Sequence, residues 1–422
     1  MGSPCEGTWI LGLPGFRVEQ VEGDEAAADG RMRIRVERRG PRRYPCSGSG
    51  RRTSRVRSAR DRTWDDLPWA THPVPLVYRQ RRVACRRCGI RTGRVEFADP
   101  KARVTRRLRQ QIGVDCPSMP TSHAAVRPGV SWGKARRAEK ACLAEWDRTR
   151  VKRRPRHLGV DGIQRGKGQR FWTVLSDLVR GEVIGLQKDR SEESLRTLLN
   201  EGLGARQRAA AAAVCTEMHR PSVNVVGEIL THAEIVFDTF HVLQHASAAL
   251  DEVRRHEFFR AGHVMRAHGR GTRWLLLRRW NTVRGSKRAE LQALFAATRR
   301  LFKAYVLREQ LDRLWTSKPR PGVLTFLMGW FKALRWQRLP EMEFGDFLLQ
   351  HIDGIADYCD HRVRFGAVES INTTIKAVLR RARGLRDAAM LLLTLKWATA
   401  HPIRSARDLV RFLTAQPLYS NR

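Results

Sequence analysis

Between His157 and Asp238 the hydrophobic pattern changes period in a fixed order, and that order constrains the fold more than any other feature of this 422-residue chain. HLGVDGI, RFWTVLSDL and GEVIGLQK are short apolar-rich segments of strand character, the last two joined by Arg180-Gly181 as a turn. SEESLRTLLNEGL has helical spacing, with Ser191 placed as its N-cap. RAAAAAVCTEM is helix-like by alanine content, but its VCT end reads equally as a fourth, buried strand. PSVNVVGEIL is a helix opened by proline, and AEIVFD is a fifth strand. The order is β-β-β-α-β-α-β. Carboxylates recur at its strand ends: Asp161 closes the first, Glu217 the fourth and Asp238 the fifth.

That order is the order of a ribonuclease-H-like core, and the flanks differ from it in kind. In residues 1–100, ILGLPGFRVEQVE and RMRIRVERR alternate as a β-hairpin would. From Tyr44 to about Asp99 the chain is rich in Arg, Gly, Ser and Pro, with one alternating segment, VPLVYRQRRVAC, running into Cys85-Arg-Arg-Cys88. A small loop-rich module of this composition needs a staple. Residues 101–149 turn helical: after RVTRRLRQQIG and a break at CPSMP, Ser122 caps a short helix and Pro128-Gly129 turns the chain. Ser131 then caps a second helix bearing Lys134, Arg136, Arg137 and Lys140. Two helices of this kind fit a helix-turn-helix or a structural helical hairpin.

RVKRRPRH is a basic linker, opening the core segment 150–241. Across 242–365 the strands vanish and apolar residues recur at helical spacing, so an all-α insertion is expected, with Trp274, Trp280 and Trp315 in its core. Residues 366–422 return to the core through the helix AVESINTTIKAVLRRARG, which carries Glu369 and is ended by Gly384.

Eighty basic against 42 acidic residues give a formal charge of +38, while 42% hydrophobic and 29% charged residues are values of a folded globular protein. Arginine-rich coding bias alone also supplies acids, so the surplus points to a polyanionic partner, a nucleic acid. No apolar run approaches the ~18 residues of a membrane span, and no basic n-region precedes the first apolar stretch. A reducing, cytoplasmic and nucleoid-associated setting without membrane contact is expected. Eight cysteines are too few for a disulfide framework, and only Cys85 and Cys88 are spaced like metal ligands. Acids inside so basic a chain suit Mg²⁺, a hard cation bound through oxygen. Two such ions ~4 Å apart activate a water or a 3′-hydroxyl and stabilise the leaving oxygen. The competing reading makes each acid a cap, a turn or a surface group.

Asp161-Gly-Ile with the following FWTVLSDL, then AEIVFDTFHV, then VESINTTIKAVLRRARG resemble, in order, the signatures of the ISL-three family of bacterial insertion-sequence transposases, of the DDE class. The resemblance starts at LPGFRV and covers nearly the whole chain. It implies an α+β multidomain protein whose ribonuclease-H-like α/β core is interrupted by an all-α insertion. It implies Asp161, Glu217 and Glu369 as the acids that bind magnesium, two Mg²⁺ with Mn²⁺ as substitute. At the second position the family usually has Asp-Met, where this chain reads Glu217-Met218. Asp238 and His241 match the family's accompanying Asp-x-x-His. Asn372, Lys376 and Arg380 follow Glu369 along one helix face, as groups that hold phosphates.

The resemblance also implies a zinc-ribbon-like module with Cys46, Cys85 and Cys88 as ligands. Ser49 stands where the family has a fourth cysteine, and His72 is the candidate for the missing ligand. Residues 121–146 resemble the family's helix-turn-helix, with Lys134, Arg136, Arg137 and Lys140 as DNA contacts. The implied protein binds double-stranded DNA at the terminal inverted repeats of an insertion sequence, as a homodimer or larger assembly on DNA, and cleaves and joins strands to target DNA. The alternatives are a catalytically decayed or domesticated transposase that only binds DNA, and a ribonuclease-H-like nuclease of branched or hybrid nucleic acid.

Overall fold

The computed structural model describes residues 7–8, 11–23, 30–164, 171–259, 262–314, 319–336, 342–382 and 385–414. Trp315 and Gly384 lie outside the described residues. The chain divides into two compact units, one formed by residues 1–151 and 376–422, the other by residues 152–375. Among the described residues, no helix is long and apolar enough to cross a membrane.

In the first unit, β1 (Phe16–Gly23) and β2 (Met32–Arg38) form the expected antiparallel hairpin. The short pair β3 (Tyr44–Pro45) and β4 (Arg52–Thr53) follows. β5 (Val56–Trp69) and β6 (His72–Cys85) make a long antiparallel ribbon, β2 joins β6 in parallel, and β7 (Gly89–Thr92) pairs with the end of β6. Edge-on aromatic contacts fill the core: Phe97 lies 5.0 Å from Phe16 and 5.3 Å from Trp64 between ring centroids. β5 has no counterpart in the sequence reading. Along its 14 residues only Trp64 and Asp66 are buried, so the alternation that marks a strand never develops. Asp66 is tolerated there because Thr105 Oγ1 donates to it at 2.6 Å and Arg107 Nε at 2.7 Å.

Three helices follow: α1 (Arg106–Asp115), capped by Thr105; α2 (Thr121–Val126); and α3 (Trp132–Thr149), capped by Ser131, whose hydroxyl accepts from the Lys134 N–H. Ser122 lies inside α2, which begins one residue earlier behind Pro120, so it is not the cap expected. Gly129 holds the turn between α2 and α3 at φ +63, a conformation L side chains rarely adopt. Leu108, Ile112, Ala124, Ala125, Ala135 and Ala138 share one buried cluster. The helix Ala388–Ala400 packs on α3, with Trp397 edge-on to Trp146 at 4.9 Å and Lys396 paired to Asp147 at 2.9 Å.

In the second unit, β8 (His157–Gln164), β9 (Phe171–Asp177), β10 (Glu182–Lys188), β11 (Ala213–Thr216) and β12 (Glu234–Phe237) form one sheet in the order β10-β9-β8-β11-β12. The first three pair antiparallel, while β8, β11 and β12 run parallel. β11 is buried along its whole length, which is why AAAAAVCT reads without alternation: a strand covered on both faces is continuously apolar. α4 (Glu192–Gly202, capped by Ser191) and α5 (Arg220–Ile229) supply Leu195, Leu198, Leu199, Val225 and Val226 to a core shared with Leu158, Val160 and Val214 of the sheet. Each such side chain adds about 1.5–3 kcal/mol on burial.

α6 (Thr239–Phe259) leaves β12 directly and opens a helical region that includes Ser286–Ala297, Arg299–Leu311 and Arg320–Trp336. Its core holds Leu250, Phe258, Leu301, Leu327 and Trp330. Trp280 stacks half-buried on Phe295, whereas Trp274 is 70% exposed under the Arg273 guanidinium and is not the core residue expected. α7 (Phe365–Arg381) then brings Glu369 and Asn372; the division between the units falls within it, after Ile375.

Candidate active site

Strand register builds the site. Thr216, the last residue of β11, pairs with Val160 on β8 and with Phe237 on β12. One residue further, Asp161, Glu217 and Asp238 therefore stand in a row across three parallel strands, with Glu217 in the middle. Neighbouring strands lie about 4.8 Å apart, so like charges are forced together where β11 and β12 end, the side on which open α/β sheets bind their ligands. Asp161 does not close its strand as expected, because β8 runs on to Gln164 paired with β9. Leu158 and Val160 face the core under α4 and α5, and alternation turns Asp161 to the other face.

Ligand atoms of Asp161, Glu217 and His241 all lie within 4.8 Å of one another, a set able to hold a metal ion. The Gly162 N–H donates to Asp161 Oδ1 at 2.8 Å and to Glu217 Oε1 at 3.1 Å. Asn372 Nδ2 donates to Asp161 Oδ2 at 2.5 Å, and Arg190 Nη2 donates to Glu217 Oε2 at 2.6 Å. Asp238 Oδ1 accepts the Phe240 N–H at 3.0 Å, which starts α6 and sets His241 Nε2 3.9 Å from Asp161 Oδ1. Asp161, Glu217, Asp238 and His241 share one small cavity with Val368 of α7.

Burial pushes the Asp161 carboxyl up to about 6, and the Glu217 charge adds to the rise against the Asn372 amide. Burial opposes the Glu217 charge too, but His241 and Arg190 outweigh it and hold Glu217 below the usual range. Asp238 is raised by burial, with smaller contributions from Glu217 and Glu369. Neighbouring carboxyls driven apart in this way mark a cluster of interacting, partly buried acids.

Glu369 is exposed on α7 and lies outside the ligand-distance set, although it acts electrostatically on Asp238. Asn372, one turn on along the same helix face, reaches Asp161 itself rather than standing free for a phosphate. Lys376 and Arg380 are exposed further along α7.

Of the four basic residues expected to touch DNA from α3, three are paired within their own unit. Lys134 meets Asp65 at 2.6 Å, Arg136 meets Glu139 at 2.9 Å, and Lys140 meets Asp387 at 2.6 Å. Arg137 is exposed and makes no ion pair among the described residues.

Cys46, Cys85 and Cys88 come together with their sulfurs within 4.8 Å. Ser49 Oγ stands 3.3 Å from Cys85 Sγ, and its hydrogen bond together with the Arg87 and Cys88 N–H groups lowers the Cys85 thiol to about 6. The expectation for His72 fails. It opens the strand that Cys85 closes, about 40 Å away at strand rise, and its Nδ1 contacts the Gly30 carbonyl oxygen at 3.0 Å.

Arg190 is the site residue that sequence reasoning missed. It follows β10 and precedes the α4 cap, where a basic residue carries no periodic signal; only the acid it meets gives it meaning.

A family model described as "Transposase" matches residues 158–395, and one described as "zinc-finger of transposase IS204/IS1001/IS1096/IS1165" matches residues 42–88. Among curated proteins, the chain is 28% identical over 393 residues to the transposase for insertion sequence element IS1001 of Bordetella parapertussis, covering 92% of this chain and 96% of that one. It is 25% identical over 400 residues to the transposase for insertion sequence element IS1557 of Mycobacterium tuberculosis, covering 88% and 89%. The model that spans the acid row covers more than half of the residues, and the chain belongs to the ISL3 family of insertion-sequence transposases.

Proposed function

We propose that this transposase is a DDE-type enzyme that binds the terminal inverted repeats of its insertion sequence, hydrolyses a phosphodiester there and joins the freed 3′-hydroxyl to target DNA. The observation that carries the reading is the register-enforced row of Asp161, Glu217 and Asp238 with His241 inside it. The mixed sheet in the order 3-2-1-4-5, with three parallel strands bearing the acids, supports a ribonuclease-H-like core, and the helical region after β12 supports an insertion. The proposed segments are 1–100 (zinc-ribbon-like), 101–149 (helix-turn-helix), 150–241 (core), 242–365 (insertion) and 366–422 (C-terminal helices), of which the part to Ile375, with Glu369, belongs with the core unit.

The donor set fits Mg²⁺ or Mn²⁺, because carboxylate oxygens dominate it and lie within 4.8 Å of one another. Bound there, two ions would supply Lewis-acid stabilisation of the attacking and leaving oxygens. Asp161 and Glu217 would hold them, with Glu369 the third acid of the set. The Gly162 N–H and Asn372 amide keep the Asp161 carboxylate oriented. Asp238 fixes the start of α6 and through it His241. Lys376, Arg380 and the basic residues of α3 are proposed to take DNA phosphates, in a cytoplasmic homodimer or larger complex on DNA, and Cys46, Cys85 and Cys88 to hold one structural Zn²⁺.

Cleavage of an end-bearing duplex with Mg²⁺ or Mn²⁺ tests the reading. It should proceed in the wild type and vanish in Asp161→Asn and Glu369→Gln. Specific observations favour a second reading, a decayed copy that only binds DNA: Glu217 is one methylene longer than the family's aspartate, and Ser49 replaces a cysteine. Tight end binding without cutting under either metal establishes that reading instead. Cutting of branched or hybrid substrates irrespective of inverted repeats, with no joined product, identifies a general nuclease.

A further inference from the structure

Glu217 is the middle acid of the row, and both its oxygens are already engaged: Oε1 by the Gly162 N–H and Oε2 by Arg190 at 2.6 Å. Arg190 crosses position 162, which has no side chain, to reach it. A Cβ there would stand 2.8 Å from Arg190 Nε and 3.1 Å from Glu217 Oε1. The guanidinium is further steadied by the Phe171 ring, 4.8 Å from its centroid, and its backbone is fixed by the α4 cap that follows. Yet the side chain is 28% exposed, so it has solvent to move into.

A divalent ion bound by Glu217 stands beside the guanidinium that now holds Oε2, and the two cations repel. A guanidinium displaced from a carboxylate keeps a planar fork suited to a phosphate. We propose that Arg190 is a counter-cation that holds Glu217 until a divalent ion displaces it, and that the released guanidinium then binds a phosphate of the DNA strand entering the site. This rests on the metal-dependent reading above and adds to it a residue of this chain with two alternate partners.

Mn²⁺ titration of the full chain at fixed ionic strength, read by electron paramagnetic resonance, tests it. Two neutral variants, Arg190→Gln and Arg190→Met, guard against one failing to fold, and thermal melts check both. The expected result is Mn²⁺ binding about tenfold tighter in the neutral variants and unchanged in Arg190→Lys, while cleavage at saturating Mn²⁺ falls at least tenfold in the neutral pair. A side chain that merely props up the site would lower affinity and rate together. Unchanged or weaker Mn²⁺ binding in the neutral variants overturns the counter-cation. Unchanged cleavage overturns the phosphate contact. Wild-type uptake that Asp161→Asn abolishes but Arg190→Gln leaves alone sinks only this proposal; no uptake that depends on Asp161 sinks the metal reading with it.

Discussion

Asp161 carries a cost that the metal-free protein bears alone. Its carboxyl titrates near 6 in the folded chain against 3.8 in the unfolded one, so between those values the folded state holds a proton that the unfolded state has lost. Stability therefore falls as pH rises through that window, and the full penalty is present above it. Glu217 works with the opposite sign: its depressed value adds stability above about 4.5 that is lost on acidification. Asp161→Asn removes the first effect. In EDTA at pH 8 the variant should be more stable than wild type by about 1–3 kcal/mol, and its melting temperature should lack the wild type's decline between pH 4 and 6. With saturating Mn²⁺ the order reverses, because only the wild type gains the binding free energy. Melting curves in the two buffers check this; a wild type that stays the more stable in EDTA at pH 8 contradicts the strain assigned to Asp161.

Single residues also decide the zinc module. Three sulfurs lie within 4.8 Å of one another and the Ser49 hydroxyl stands 3.3 Å from the sulfur of Cys85, whereas structural zinc takes four ligands. Ser49→Cys places a fourth thiolate beside Cys85, and zinc should bind at least tenfold tighter in chelator competition. Cys85→Ser should lose the metal. Equal affinity in Ser49→Cys and wild type would falsify the four-point geometry.

At the scale of elements, most of the second unit's sheet was legible because its strands are core strands. FWTVLSD and AVCT are buried nearly throughout, so burial wrote itself into composition. β5 was illegible for the converse reason: it pairs along β6 with charged side chains exposed, and pairing between backbones leaves no mark on residue type. The site divides the same way. Asp161, Glu217 and Asp238 could be read as strand-end acids, and register alone then aligns them. Arg190 and the contact from Asn372 to Asp161 join segments distant in sequence, which no local pattern encodes.

α3 shows how misleading a local pattern can be. Its basic residues look interchangeable in sequence, but Lys134 and Lys140 are matched with Asp65 and Asp387 from other elements. Exposed pairs contribute little to stability, about 0–1 kcal/mol, yet a phosphate must compete with them. Arg137→Ala should thus weaken end binding more than Lys134→Ala, checked by fluorescence anisotropy on one duplex. The reverse ranking would mean that the Asp65 pair opens on DNA.

For the whole molecule the decisive quantity is charge. A formal +38 describes the chain, but only cations that meet phosphates release counterions, and pairs such as Arg81–Glu37, Arg109–Glu145 and Lys396–Asp147 are spent internally. Net charge and the slope of affinity with salt are consequently separate measurements. The logarithm of the binding constant falls with the logarithm of salt at about −0.9 per phosphate contacted. A protein using six to ten contacts loses about 10³–10⁵ in affinity between 50 and 200 mM salt. This transposase should fall in that range, and Arg137→Ala should reduce the slope by about one. A shallow slope in wild type would leave the arginine surplus without the role given to it. A steep slope that Arg137→Ala does not change would place the phosphate contacts elsewhere, away from the helix whose sequence first suggested them.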